Sequence, residues 1–305
     1  MTLIVDIKGN SLDDGPGIRS VVFFKGCPLS CGWCHNPEGI GREAELSFDR
    51  DVCVACDTCI ATCAKEALAR SQPGFIDRDR CDLCMDCVET CPSGALSRVG
   101  EPRSVDDVLA ELLRHKVFYD SSGGGVTFSG GEPTLFVGYL GELARALERA
   151  GVPTLLVTGG LVAGERFESD QLPHRDTVYF DLKLMDDDAH RRHCGASNKT
   201  ILENFQRLLA VAAEGELELL PRMPLVPGIT ATEDNVRALA ELLQHNDVKR
   251  ARLLGYNPLW PDKLSKLGAR SELARQPEMK QWIPPDQIER YEAILRDAGI
   301  DPGRA

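Results

Sequence analysis

The sequence is short of several things, and each shortage removes a class of protein. No apolar run approaches the ~20 residues of a membrane-spanning helix. The opening MTLIVDIKGNSLDDG lacks the basic stretch followed by an apolar one that marks a secretory signal. The chain is therefore read as cytoplasmic, with no membrane partner. Basic residues are outnumbered, 35 Lys and Arg against 47 Asp and Glu, for a net charge of −12. Phosphate contacts need clustered Lys and Arg, so nucleic acid is excluded as the main partner and the charge is read as serving solubility. Histidine is scarce, six in all. The run His190, His193, Cys194 has poor spacing for zinc and lacks the rest of a ligand set, so it is read as a helix end with an unliganded thiol. His115, His174 and His245 are read as surface residues. In other respects the composition is that of a globular chain, 43% hydrophobic and 27% charged, and 305 residues suffice for one or two domains.

Cysteine breaks the pattern. There are twelve, eleven of them before residue 92, with Cys194 alone beyond. Thiols in a reducing cytosol are poor candidates for disulfides, and clustered ones read as metal ligands. CVACDTCIATCAKEAL, from Cys53, and CDLCMDCVETCPSGAL, from Cys81, share the spacing C-x2-C-x2-C-x3-C at an offset of 28 residues. Thr62 matches Thr90, Ile60 matches Val88, and Ala67-Leu68 matches Ala95-Leu96. This is an internal duplication with the spacing of a bacterial two-cluster ferredoxin, in which three close cysteines hold one 4Fe–4S cube and the fourth reaches the other cube. The expected ligand sets are Cys53, Cys56, Cys59 and Cys91 for one cluster, and Cys81, Cys84, Cys87 and Cys63 for the next. Paired zinc knuckles are the competing reading, but zinc prefers C-x2-C pairs separated by a longer gap. Cys91 precedes Pro92 whereas Cys63 precedes Ala64, a departure that removes no ligand.

Around this segment the pattern alternates between short apolar runs and helical stripes. Expected strands are Val21–Phe24, Gly125–Ser129, Thr154–Thr158, Val178–Leu182, Leu217–Leu225 and Arg250–Tyr256. Ser104 with Asp107 caps a helix that turns Val105, Val108, Leu109, Leu112 and Leu113 inward. Leu140, Leu143, Ala144 and Leu147 make a further stripe. Thr200 precedes one with Ile201, Phe205, Leu208, Leu209 and Ala212 inside, and Thr230 with Glu233 forms a capping box before Val236, Leu239 and Leu243. The run Asp186-Asp187-Asp188 reads as a solvated turn and helix start.

The expected fold class is α/β: an incomplete parallel (β/α)6 barrel over 1–47 and 100–305, with an inserted two-cluster ferredoxin-like domain over 48–99. Ligands of such sheets sit at the carboxyl ends of the strands. The chemistry-bearing residues fall there: Cys27 after the first strand, Ser129-Gly130-Gly131-Glu132 after the second, Thr158-Gly159-Gly160 after the third, Asp181-Leu182-Lys183 at the fourth, Arg222 in the fifth and Asn257 after the sixth.

KGCPLSCGWCHNPEG, Lys25 to Gly39, presents Cys27, Cys31 and Cys34 as C-x3-C-x2-C, one thiolate short of a full set. A 4Fe–4S cluster held by three thiolates leaves one iron open, and that iron can chelate a ligand carrying an amine and a carboxylate. With SGGEP after the second strand and DLK at the end of the fourth, this motif resembles the radical S-adenosylmethionine (SAM) superfamily. DDGPGIRSVVFFKGCPLSCGWCHNPEG, the ferredoxin-type segment after it, GGGVTFSGGEP (Gly123–Pro133) and PRMPLVPGI (Pro221–Ile229) resemble the activating enzymes of glycyl radical enzymes. The likeness runs from at least Asp13 to Leu259.

The resemblance implies three 4Fe–4S clusters and S-adenosyl-L-methionine as cofactors. It implies reductive cleavage of that cofactor to a 5′-deoxyadenosyl radical, which removes a hydrogen from a backbone glycine of a partner glycyl radical enzyme. Flavodoxin or ferredoxin is the implied electron donor. By motif, Cys27, Cys31 and Cys34 hold the catalytic cluster. Trp33, Cys34 and His35 lie near the adenine, Gly130 and Gly131 let the backbone approach the methionine amine, and Glu132 supports that loop. Thr158, Leu182 and Asn257 join the cofactor contacts, Lys183 and Arg222 meet the carboxylate, and Asp181 contacts the cofactor or a cation. Val157 stands where many relatives carry Asp, which puts a monovalent cation site in doubt, and Asn257 replaces the His of a usual Tyr-His pair. The competing functions are a radical SAM enzyme acting on another peptide or a small molecule, and a ferredoxin-type electron carrier. The carrier would have no need of SGGEP, DLK or a three-cysteine motif.

Overall fold

The computed structural model describes residues 2–162, 177–215 and 217–303; His174 lies outside them. Ten strands are present among the described residues: β1 (Leu3–Ser11), β2 (Arg19–Phe24), β3 (Glu45–Phe48), β4 (Leu96–Val99), β5 (Glu101–Pro102), β6 (Gly125–Gly130), β7 (Thr154–Thr158), β8 (Thr177–Asp181), β9 (Glu218–Leu225) and β10 (Arg252–Gly255). Eight of them form one sheet in the order β10-β9-β8-β7-β6-β2-β1-β5. The six from β2 to β10 are parallel, neighbour to neighbour. They are the six apolar runs of the sequence, with ends displaced by one or two residues. Strand β2 is buried along nearly its whole length, as a strand covered on both faces must be.

Strands β1 and β5 are additions that the sequence pattern did not reveal. β1 pairs antiparallel with β2 and with β5. Its residues alternate between partly buried and exposed, so Asp6, Lys8 and Asn10 dilute the apolar signal. β5 is two residues long and contains Pro102, too little for any pattern.

One face of the sheet is covered by helices. Leu156, Val178, Phe180 and Met223 pack there against Leu140, Leu143, Leu147, Phe205, Leu208, Val236 and Leu239. On the other face Leu155, Val157, Tyr179 and Leu220 make a small separate cluster. That face also carries Arg19, whose Nε donates to Thr127 Oγ1 at 2.7 Å. The alternation of strand side chains thus sorts Val157, Tyr179 and Asp181 onto the face away from the helices.

Three local expectations need correction. The Glu233–His245 helix is capped by Thr232, whose Oγ1 accepts from Asn235 N at 3.2 Å. Thr230 is fully buried instead, its hydroxyl accepting from Val226 N at 2.6 Å. The Lys199–Ala213 helix begins before Thr200, which sits in its first turn. His115 is half-buried, and a Cβ on Gly9 would lie 3.0 Å from its ring, so it is not a surface residue. The Ser104 cap on Val105–Leu113 and the Asp186 cap on Asp187–Cys194 are present. His245 is exposed.

Strands β3 and β4 pair antiparallel and frame a second core built from Leu46, Phe48, Leu68, Phe75, Ile76, Met85 and Leu96. The 28-residue repeat is visible in its backbone. Ala55 and Leu83 have φ of 60° and 61°, and Asp57 and Met85 have 58° and 70°. Each left-handed residue at Asp57 and Met85 opens a short helix, Thr58–Thr62 and Asp86–Glu89. In both copies a threonine hydroxyl bonds back one turn, Thr62 to Thr58 O and Thr90 to Asp86 O, each at 2.9 Å.

This segment is tied to the main sheet at both ends by Lys25. Its side chain is fully buried, with Nζ 2.8 Å from Glu38 O and 2.5 Å from Glu45 Oε2. Gly100, on the return, has φ of 92°, and a Cβ there would lie 2.4 Å from Lys25 Cδ. Among the described residues no helix is long and apolar enough to cross a membrane.

Candidate functional site

The three-cysteine loop begins where β2 ends. Its backbone is fixed from two sides. Cys27 N donates to Ile40 O at 3.0 Å, and Gly26 N to Gly39 O at 2.8 Å. Across the loop, Ser30 N donates to Cys194 O at 2.9 Å and Gly32 N to His193 O at 3.1 Å. The last carbonyls of the Asp187–Cys194 helix, which lack partners within the helix, are thereby satisfied by the loop. Gly195 ends that helix at φ of 79°, and a Cβ there would lie 2.1 Å from Ser30 Oγ.

The SGGEP segment packs against the same loop. Gly131 N donates to Phe24 O at 2.8 Å and Glu132 N to Gly26 O at 2.7 Å. A Cβ on Gly131 would stand 2.2 Å from Gly26 O and 2.5 Å from Gly39 O, and Gly130 has φ of 105°. These glycines let two backbones meet, that of this segment and that of the cysteine loop. Glu132 is buried, and its carboxylate accepts from Thr134 N and Oγ1, from Thr158 Oγ1 at 2.9 Å and from Gly159 N at 2.8 Å. Burial pushes this carboxyl above the usual range, against the pull of those donors. Glu132 and Thr158 thus join the ends of β6 and β7 to each other.

Asp181 and Arg222 face one another across β8 and β9 in register. Arg222 grips Asp181 Oδ1 through Nε at 2.9 Å and a terminal nitrogen at 2.8 Å. Its guanidinium lies 4.9 Å from the centre of the Tyr179 ring. Lys183 Nζ is 3.8 Å from Asp181 Oδ2 and is largely buried. Burial alone would lower the Lys183 pKa, but Asp181 and the sulfurs of Cys31, Cys194 and Cys27 outweigh it and raise the ammonium above the lysine range. One cation is therefore shared by the cysteine loop and the β8 carboxylate. Burial pushes Cys27 up to about 12, with Glu132 adding to it, and pushes Cys34 up to about 12. Cys31 is held below the usual thiol range by the hydrogen bond from Cys194.

Other expected site residues are placed apart. Leu182 turns its side chain into the helix-side core, and its N–H donates to Arg222 O at 2.8 Å. Trp33 is buried in that same core, with its ring 6.3 Å from that of His193. His35 and Asn257 line one open cleft with Asn36, Glu38 and Lys263. The His35 ring lies 5.8 Å from that of Tyr256, and its buried Nε2 has no protein partner. Asn257 Oδ1 accepts from Leu259 N at 3.0 Å.

The eight cysteines of the smaller core line two separate cavities. Cys53, Cys56, Cys59 and Cys91 line one, beside Phe48 and Phe75. Cys63, Cys81, Cys84 and Cys87 line the other, beside Leu46 and Leu68. Among the described residues no three His, Cys, Asp or Glu side chains come close enough to hold a single metal ion. The two rings thus group the eight thiols four and four, each ring drawing three from one repeat and one from the other.

Sequence reasoning missed three groups here. Lys25 and the Cys31–Cys194 contact carry no motif, because each depends on a partner far along the chain. Lys263 was missed for the same reason; it meets Asn36 Oδ1 at 3.1 Å and Glu38 Oε1 at 2.7 Å.

A parallel sheet that gathers three cysteines, a buried lysine and a glycine-rich acidic loop at its carboxyl ends defines a class. Residues 79–243 match the Radical SAM superfamily, and residues 13–70 match a 4Fe-4S single cluster domain. The chain is 37% identical over 289 residues to the isethionate sulfite-lyase activating enzyme of Oleidesulfovibrio alaskensis, covering 93% of this chain and 90% of that one. It is 35% identical over 285 residues to the trans-4-hydroxy-L-proline dehydratase activating enzyme of Clostridioides difficile, covering 91% and 93%. Among solved structures, a radical SAM methyltransferase from Sphaerobacter thermophilus aligns over 98% of this chain and 75% of its own, with a TM-score of 0.54 at 16% identity, a likeness of fold alone. The chain belongs to the radical SAM superfamily and, within it, to the activating enzymes of glycyl radical enzymes.

Proposed function

We propose that this chain binds S-adenosyl-L-methionine at an iron–sulfur cluster and activates a partner glycyl radical enzyme by removing one hydrogen atom from a backbone glycine. The observation that carries the reading is the meeting, at one end of the parallel sheet, of Cys27 and Cys31 of the three-cysteine loop with Lys183, which is paired through Asp181 to Arg222. A carrier of electrons would have no use for that second, charged half.

Cys27, Cys31 and Cys34 would hold the catalytic 4Fe–4S cluster. Their donor set fits: three thiols on one short loop, with a buried cation beside them to offset thiolate charge. When bound, the cluster would supply the single electron for reductive cleavage of S-adenosylmethionine, the chemistry that hydrogen removal from glycine requires.

The chain's own residues bind and orient. Lys183 and Arg222 supply positive charge for the methionine carboxylate, and Asp181 holds both in place from the same strand end. Gly130 and Gly131 keep the SGGEP backbone against the cysteine loop, so the amine of the cofactor would meet backbone rather than side chain. Glu132, with Thr158, fixes that backbone from behind. His35 and Asn257 share a cleft and would face the adenosine, His35 through its free Nε2. Trp33 and Leu182 would act through packing and backbone position.

The parallel strands are read as an incomplete (β/α)6 barrel over 1–47 and 100–305, and residues 48–99 as an inserted ferredoxin-like domain. Two further 4Fe–4S clusters, one on Cys53, Cys56, Cys59 and Cys91 and one on Cys63, Cys81, Cys84 and Cys87, would relay electrons from a flavodoxin or ferredoxin in the cytoplasm. The two four-cysteine cavities support this grouping. A cation site beside β7 finds no support, since Val157 packs with Leu155, Tyr179 and Leu220.

The test is anaerobic incubation of the reconstituted protein with reductant, S-adenosylmethionine and a candidate partner. The expected products are 5′-deoxyadenosine and a glycine-centred doublet by electron paramagnetic resonance (EPR). Equal signal from a partner whose glycine has been replaced by alanine would refute the assignment.

A further inference from the structure

Cys194 has no part in the reading above. It is the last residue of the Asp187–Cys194 helix, has 0% exposure and belongs to the main core, with Cys27 and Cys31 packed against it. Its position is set by the backbone. Ser30 and Gly32, the two neighbours of Cys31, donate to Cys194 O and His193 O at 2.9 and 3.1 Å. Gly195 allows this docking, since any side chain there would collide with Ser30. The loop is therefore held with Cys31 against the helix end, and the buried Cys194 thiol is the neighbour that draws the Cys31 thiol below its usual range.

A thiol at that position could cap the cluster as a fourth ligand or donate to the ligand already there. The first would close the iron that must stay open for the cofactor; the second leaves it open. We propose that Cys194 is a positioning residue for the catalytic cluster: its S–H donates to the Cys31 sulfur, holds that ligand and raises the reduction potential of the cluster it binds. A hydrogen bond to a ligand sulfur favours the more negatively charged, reduced state. The Cys194 side chain is fully buried, and the low local dielectric around it strengthens such a bond. The inference rests on the three-cysteine cluster of the proposed function.

The test uses the full chain reconstituted anaerobically, with redox titration followed by EPR. The signal to follow is the one that changes shape when S-adenosylmethionine is added. C194A removes the donor, C194S keeps one, and C194V fills the space without one. C194A and C194V are expected to shift that midpoint to more negative values by about tenfold in the one-electron equilibrium constant, or about 59 mV. C194S should remain near the parent, and the signals insensitive to S-adenosylmethionine should not move in any variant. Unchanged midpoints in C194A and C194V, or a shift in C194S as large as theirs, would overturn the proposal. A response to S-adenosylmethionine seen only once Cys194 is removed would make it a fourth ligand and overturn the proposal equally. A parent with no responsive signal would instead count against the proposed function.

Discussion

Segment 48–99 carries eight cysteines in two copies of one pattern, whereas the loop after β2 carries three and draws everything else it needs from distant strands. In the segment, each copy repeats the same left-handed residues, the same short helix and the same threonine back-bond 28 residues apart. Ala55, Asp57, Leu83 and Met85 occupy a backbone region that costs non-glycine residues roughly 1–2 kcal/mol each. The core around them is small, and ligation by the cysteines would offset that cost. The β2 loop has no such repeat. Gly26 and Gly131 meet back to back, Lys183 arrives from β8, and Cys194 arrives from a helix end. A repeated local motif can supply the thiols for two clusters from one short segment. Holding a cluster with one iron open, beside groups that bind a cofactor, takes a sheet.

The largest expected effect separates the two regions by function. Cys34→Ala should abolish 5′-deoxyadenosine formation with any reductant and remove about four iron atoms per chain. Cys84→Ala should lose a similar amount of iron, yet retain product formation with a strong chemical reductant while losing it with a protein donor. Equal loss under both reductants in Cys84→Ala would erase the distinction.

Removal of iron should divide them by stability. Hydrogen exchange on the iron-free protein is expected to show residues 53–91 exposed, with β2, β6, β7 and β8 still protected. The sheet rests on a large apolar core, whereas the smaller core is lined mainly by cysteines. Uniform loss of protection across both would show that they unfold as one.

The smallest effect probes the seam. Glu45→Ala would leave the buried Lys25 ammonium with Glu38 O alone and should destabilise the protein by about 3 kcal/mol in chemical denaturation. Lys25→Met should cost less, because Glu45 is partly exposed and can turn to water. The reverse order would mean that the pair is not what fastens the segment to β2.

The six parallel strands and most of the helix faces were legible in the sequence because buried strands and amphipathic helices write their burial into apolar spacing. The cap at Thr232 was not: Thr230 and Thr232 offer the same hydroxyl, and only the burial of Thr230 decides between them. β1 was hidden because it is half-covered, and β5 because a two-residue strand has no period. The glycines of SGGEP were legible as a place of close backbone approach. What they approach within the chain, the carbonyls of Gly26 and Gly39, was not.

By itself the sequence determined the thiol pattern, two C-x2-C-x2-C-x3-C runs and one C-x3-C-x2-C, because that spacing is written in the chain itself. It also determined the alternation that puts Asp181 and Val157 on one face. Only the tertiary structure decided which charges meet: Asp181 with Arg222 across 41 residues, Lys25 with Glu45 across 20, and Cys31 with Cys194. Each of those contacts is weak evidence until strand order and a helix end bring its halves together, because a charge or a thiol carries no mark of the partner it will find on folding.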